Sequence, residues 1–209
     1  MDQVSEQEKK PTLTDHFRRV FKGTLDPIGR FLNRLGLTPN MMTILGLIGN
    51  TIGAVFLAQG QMTIGGIIIL MMGPIDALDG TMARLRGMDG QFGAFVDSVS
   101  DRYSELVIFG GLLYYYISLG DWVGALLVYL AAAGSVLVSY IRARGQSLGW
   151  DTKVGILTRV ERYLVLAPTL VINLPLLGIV IIAIFANITA IQRILDVRRQ
   201  AHNEQKEDS

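Results

Sequence analysis

The chain has 209 residues, half of them apolar, no cysteine and a formal net charge of +1. That length suits one membrane bundle and is short for two soluble domains. The missing cysteines exclude disulfides and thiolate metal sites, and no nucleic-acid partner is expected. Charge is clustered rather than spread. Leu35 to Ile75, Trp122 to Ile141 and Tyr163 to Gln192 contain no Asp, Glu, Lys or Arg. Runs of that length read as transmembrane helices. A soluble helical protein would need charges on the outer faces of such helices.

Residues 1–13 are polar and of mixed charge, which predicts a disordered tail, and they lack the apolar core of a signal peptide. Over 14–36, Phe17, Val20, Phe21, Leu25, Ile28, Phe31, Leu32 and Leu35 recur at spacings of three and four, with Arg18, Arg19, Lys22, Arg30 and Arg34 largely between them. This predicts a basic amphipathic helix on an anionic membrane face, broken or kinked at Gly23 and Pro27. A six-helix domain follows over 37–199. Thr38 suits a helix cap and Pro39 a first turn, opening a helix over about 39–58. The next spans about 62–85, and Gly87-Met88-Asp89-Gly90 connects it to a third, from Phe92 to about Gly120. The fourth covers about 122–145, the fifth runs from Leu157 to Asn173, and the sixth ends near Val197. Residues 200–209 read as a polar tail.

The Lys and Arg residues set the orientation. All 19 lie before the first span, at the junctions between spans two and three and between four and five, or at the C-terminal end. Both termini are therefore expected in the cytoplasm, with Tyr114, Tyr115, Tyr116 and Trp122 in an aromatic belt at the far side. The predicted fold is an all-α integral membrane protein of the plasma membrane, with six transmembrane helices and an N-terminal amphipathic juxtamembrane helix.

Asp76 and Asp79 share a helix face, as do Asp97 and Asp101. A short loop makes their two helices antiparallel and brings the pairs to one depth, at the cytoplasmic edge. Acidic residues in such segments are costly and usually functional. Four gathered carboxylates repel, and two divalent cations would cancel their charge. Oxygen-only ligands favour Mg²⁺ or Mn²⁺, and paired metals suit phosphoryl chemistry. Gly80 lets a phosphate approach the backbone, Gly93 allows close approach of a helix or ligand, and Arg84 can reach a phosphate.

Asp76-x-x-Asp79-Gly80-x-x-Ala83-Arg84, eight residues, then Gly93-x-x-x-Asp97-x-x-x-Asp101 resembles the signature of the CDP-alcohol phosphotransferases position by position. The resemblance implies transfer of a phosphatidyl group from CDP-diacylglycerol to an alcohol, with release of CMP. It implies that Asp76, Asp79, Asp97 and Asp101 hold two Mg²⁺ ions (or Mn²⁺) and that Asp101 is the base. It also implies that Gly80 and Arg84 contact the CDP pyrophosphate, that Asn40, Met41, Met42 and Thr43 line the nucleotide site, and that the enzyme is a homodimer among membrane lipid. Ser139-Tyr140-Ile141-Arg142-Ala143-Arg144, Gly155 to Arg162 and Ile191-Gln192-Arg193 resemble stretches of the phosphatidylinositol-phosphate synthases within that family. This implies inositol 1-phosphate as acceptor, with Arg142, Arg162 and Arg193 as phosphate-binding cations. Arg159 joins them as a further arginine on the metal side, where a cluster suits an anionic acceptor. Arg142 stands where some members have lysine, and Thr158 and Val160 replace a glutamate and a proline. Gly90 stands where some members have a hydroxyl residue. The alternatives are the same chemistry with glycerol 3-phosphate, serine or inositol, and, in another class, an ion-coupled transporter, against which the acids lie at one edge and no inverted repeat is visible.

Overall fold

The structure is a computed structural model and describes residues 13–87 and 90–207. Seven helices follow one another: α1 (Leu13–Arg34), α2 (Pro39–Ala58), α3 (Met62–Leu85), α4 (Gln91–Ser118), α5 (Trp122–Ser147), α6 (Arg159–Val171) and α7 (Pro175–Glu207). No strand occurs among the described residues. The tail expected over 1–12 and the residues Met88 and Asp89 lie outside the description.

The helix starts follow their capping residues. Thr38 Oγ1 accepts from the Met41 amide at 3.3 Å ahead of Pro39, and Asp121 Oδ1 accepts from the Gly124 amide at 2.9 Å ahead of Trp122. α2, α3, α5 and α7 are long and apolar enough to cross a membrane. α4 is lengthy but carries Asp97, Asp101, Arg102 and Glu105, and α6 has only 13 residues. The chain is an integral membrane protein with its helices in two sets. α2 packs on α3 and α4, α5 packs on α7, and α4–α5 and α3–α6 contacts join the sets. Leu57, Ile69, Leu112, Val128, Leu170 and Ile182 fill the core. Ile44, Ile48, Ile52 and Val55 on α2 stay about half exposed, an outer face suited to lipid.

Without a hydrophobic force between helices in lipid, close packing must come from small residues. A Cβ on Gly65 would stand 2.8 Å from the Gly53 carbonyl oxygen, so α2 and α3 touch backbone to backbone. Gly111 meets the Ala54 carbonyl in the same way, whereas a Cβ on Gly110 meets nothing within 4 Å.

Three expectations change. α1 is unbroken across Gly23 and Pro27. The carbonyl that Pro27 leaves without a donor belongs to Gly23, which is exposed, so the helix need not break there. Part of the α1 apolar face packs on protein: Leu25 and Leu32 lie against Leu78 and Met82 of α3, while Ile28 and Phe31 remain exposed. Arg86 ties this end down through the Leu37 carbonyl at 2.5 Å. α7 continues through 200–207, where a tail was expected. Gln200 donates to Asp196 at 3.0 Å and Trp150 Nε1 to Glu204 at 2.9 Å, which hold this polar stretch helical. Of the four belt aromatics, Tyr114 and Trp122 are exposed, but Tyr116 is buried, its ring edge-on to Tyr115.

Gly111→Ala should lower the thermal midpoint of the detergent-solubilised protein, costing about 1–3 kcal/mol by overpacking. Gly110→Ala, on open space, should hold or raise the midpoint by up to about 1 kcal/mol through helix propensity. Melting both variants by fluorescence-detected size exclusion checks the pair.

Candidate active site and metal centre

α3 and α4 each pack on α2, and the i, i+3 and i, i+4 spacings put the acids of each helix on one face. Asp76, Asp97 and Asp101 each offer a carboxylate oxygen, and the three oxygens lie within 4.8 Å of one another. Two oxygens on opposite sides of an octahedral Mg²⁺ are about 4.2 Å apart, so a small closure of this set fits one ion. All the donors are carboxylate oxygens, a hard set that suits Mg²⁺ or Mn²⁺.

Asp79 is turned away from that trio. Its Oδ2 accepts from Thr43 Oγ1 at 2.7 Å and its Oδ1 from the Gly80 amide at 2.5 Å. It is buried, at 5 % exposure, yet remains within electrostatic reach of Asp76 and Asp97. Thr43 therefore touches the carboxylate cluster itself. Its neighbours diverge: Met42 is buried against Leu78 and Met82, and Met41 is exposed. Gly80 and Gly93 both border open space: a Cβ on Gly80 meets only Arg84 Nη1, at 3.5 Å, and one on Gly93 meets nothing. Neither glycine is needed for packing within the chain, which leaves room for a ligand. Arg84, exposed and held by Thr81 at 3.0 Å, stands beside Gly80.

Two cations meet the cluster: Arg102 Nη1 lies 3.4 Å from Asp101 Oδ2, and Arg159, the first residue of α6, reaches two of the acids. Its guanidinium lies 3.1 Å from Asp76 Oδ2 and 2.5 Å from Asp101 Oδ1. Three residues on, Arg162 makes a two-pronged ion pair with Glu105, Nε to Oε1 at 2.7 Å and Nη2 to Oε2 at 3.0 Å. Asp101 and Glu105 are one turn apart on α4, and Arg159 and Arg162 about one turn apart on α6. The two pairs advance together, so α4 and α6 run parallel. Arg162 is 2 % exposed and gives a third bond to the Leu157 carbonyl. Three of its five N–H groups are thus engaged.

The local sequence fixes where α6 begins. Thr158 caps it, and the Glu161 carboxylate accepts from the Thr158 amide. Thr189 of α7 steadies the approach, its hydroxyl oxygen accepting from the amides of Ile156 and Leu157 at 3.2 Å each. Arg193, also buried, donates to the carbonyls of Val154 and Val138 at 3.0 and 2.6 Å. Arg142 and Arg162 lie within electrostatic reach of it. Arg142 is exposed. Outside the membrane segments, Asp151 is held below the usual carboxylate range by its hydrogen bonds from Lys153 and Gln146.

The sequence profile of the family CDP-alcohol phosphatidyltransferase matches residues 36–195, more than half of the chain. The chain belongs to this family. It is an enzyme of the same class, a divalent-metal-dependent transferase of phospholipid synthesis. It is 35% identical over 209 residues to the phosphatidylinositol phosphate synthase of Streptomyces avermitilis, covering 92% of this chain and 85% of that one. To the archaetidylinositol phosphate synthase of Pyrococcus horikoshii it is 36% identical over 185 residues, covering 88% and 95%. Among solved structures it resembles the phosphatidylinositol phosphate synthase of Mycobacterium tuberculosis. The form with CDP-DAG bound has a TM-score of 0.79 at 30% identity, covering 84% of this chain and 94% of that one. The form in complex with manganese and citrate has a TM-score of 0.78 at 31% identity, covering 83% and 88%.

Sequence reasoning missed the Thr43–Asp79 bond, between distant segments, and did not say which arginine Glu105 would meet. It also missed Tyr163, whose hydroxyl lies against α3 beside Pro74. The available signal was its spacing of four from Arg159.

Arg159 competes with any cation for Asp76 and Asp101. Arg159→Gln should therefore bind Mn²⁺ more tightly, by about tenfold or 1.4 kcal/mol, while the metal-free protein melts earlier. Calorimetric titration and a melt without metal check both halves. Glu105→Ala strands the buried Arg162 charge and should cost about 3–5 kcal/mol of stability, read as a lowered midpoint with and without metal.

Proposed function

We propose that the enzyme transfers the phosphatidyl group of CDP-diacylglycerol to inositol 1-phosphate, giving phosphatidylinositol phosphate and CMP. The observation that carries the acceptor is that Arg142 and Arg162 lie within electrostatic reach of Arg193. Arg162 has Glu105 as its partner, but Arg193 donates to backbone carbonyls and Arg142 is exposed, and cations in this state suit a phosphorylated alcohol. The relatives support the same acceptor. One is named for a phosphatidyl and the other for an archaetidyl product, yet both names contain inositol phosphate.

On this reading Asp76, Asp79, Asp97 and Asp101 hold two Mg²⁺ or Mn²⁺ ions. When bound, such ions neutralise pyrophosphate charge and polarise its phosphorus–oxygen bonds. The chain supplies the rest. Gly80, with no side chain, and Arg84 beside it receive the pyrophosphate, and Asn40 to Thr43 border the nucleotide. Arg159, about one turn from Arg162 on α6, would join Arg142, Arg162 and Arg193 on the acceptor phosphate. The Asp101 carboxylate takes the proton from the acceptor hydroxyl. That oxygen bonds to the phosphorus bearing diacylglycerol, the bond from this phosphorus to the CMP oxygen breaks, and CMP leaves with the electron pair.

The same proposal places six spans in the plasma membrane, with both termini and the site in the cytoplasm. α3 ends at the arginine-rich side and α5 begins at the aromatic side, so α4 must cross between them. α5 ends at the arginine-rich side and α7 begins opposite, so α6 must cross too. The parallel α4 and α6 agree with this alternation, and the basic residues set its direction. A homodimer is part of the reading, and Gly110 leaves an outer face of α4 open for it.

The test is a headgroup screen. Purified protein with CDP-diacylglycerol and Mg²⁺ should release CMP with inositol 1-phosphate and at least a hundredfold less with inositol, glycerol 3-phosphate or serine. Product with a different acceptor discards this substrate. Asp101→Asn should cut turnover by about 10²–10⁴-fold, the usual contribution of a general base.

A further inference from the structure

Pro74 stands two residues before Asp76, inside α3. Proline has no N–H, so the Leu70 carbonyl loses its helical donor, and the ring presses that carbonyl outward. An unpaired backbone group in lipid costs free energy unless something else satisfies it. Here the partner comes from another helix. The Tyr163 hydroxyl lies 2.7 Å from the Leu70 carbonyl oxygen and 2.8 Å from that of Ile69, which share its proton, and it accepts from the Gly73 amide at 3.0 Å. One hydroxyl thus fills the gap that Pro74 leaves in the hydrogen-bond ladder of the continuous helix α3. Gly73 makes room for it, since a Cβ there would stand 2.5 Å from the Tyr163 oxygen.

Tyr163 and Arg159 are four residues apart on α6 and share a face. Tyr163 holds α3 at the turn before Pro74, and Arg159 holds Asp76 just after it, at 3.1 Å. The course of α3 past Pro74 decides where Asp76 stands relative to Asp97 and Asp101. We propose that Tyr163 is a positioning residue of the metal site: its hydroxyl satisfies the backbone groups that Pro74 leaves without partners, fixes the course of α3 there and thereby aims Asp76 at the other carboxylates. The role rests on the reading of these carboxylates as the metal centre, but it needs no particular acceptor.

Tyr163→Phe removes only the hydroxyl and tests the role. Calorimetric titration of the detergent-solubilised full chain with Mn²⁺ should show affinity falling by about tenfold, the usual size of such outer-shell losses. Turnover should fall at low metal and recover at saturating metal, with the KM for CDP-diacylglycerol unchanged. A merely structural tyrosine would lower the melting midpoint and leave the metal isotherm of the folded fraction alone, which would overturn the proposal. Gly73→Ala attacks the same contact from α3 and should give the same weakened isotherm. Unchanged metal affinity in both variants overturns the role of Tyr163 while leaving the metal centre standing. No Mn²⁺ binding by the unaltered protein overturns the metal centre and this role with it.

Discussion

Carboxylates drawn together at the end of an apolar bundle repel one another and lose hydration, so they keep a fixed arrangement only beside a cation. In this chain Arg102 of α4 meets Asp101 from its own helix, and a second cation arrives on α6. Arg159 sits between Asp76 of α3 and Asp101 of α4 and holds both helices at the depth of the site. One turn further on, Arg162 answers Glu105 of α4 with a two-pronged pair. The shortest helix of the bundle therefore neutralises the most charge. It can do so because guanidinium groups present several donors in a plane that matches carboxylates.

Such a helix must start at a defined place, because a shift of one residue would swing Arg159 about 100° around the axis, away from the carboxylates. Thr158 and Glu161 define the start from within, and Thr189 of α7 defines it from outside by holding the two amides before it. A threonine cap with a glutamate reaching back starts the helix at Arg159. α7 is thereby connected to the metal end of the molecule, although none of its acidic residues belongs to the carboxylate cluster.

Part of the carboxylate group was legible because its information is local. A spacing of four put Asp97 with Asp101, and the short connection between α3 and α4 let Asp76 come near them. The caps at Thr38 and Pro39 were legible for the same reason. What escaped depends on contacts between distant segments. Asp79 turns to Thr43 across 36 residues of chain, and Glu105 finds Arg162 across 57. Position relative to the membrane could say that these arginines lie on the metal side, but not which acid each would meet. The polar stretch over 200–207 reads as a tail by composition and is helical, because Trp150 and Asp196 hold it. The run of three tyrosines reads as one belt, yet each helical residue turns the side chain by about 100°, so Tyr116 is carried inward.

The site is divided between the two halves of the bundle. α3 and α4 supply the carboxylates, Gly80 and Arg84, which suit a metal and a pyrophosphate. α5, α6 and α7 supply Arg142, Arg162 and Arg193, which suit a second anion. α6 alone touches both sets, with Arg159 on the carboxylates and Arg162 beside the arginine cluster. Asp76 and Asp101 could hold a metal only by giving up Arg159, which would leave that guanidinium about one turn from Arg162. Metal loading and acceptor affinity would then be linked through a single side chain, and linkage of this kind is reciprocal: an acceptor phosphate holding Arg159 away from Asp76 and Asp101 would favour metal binding by the same factor.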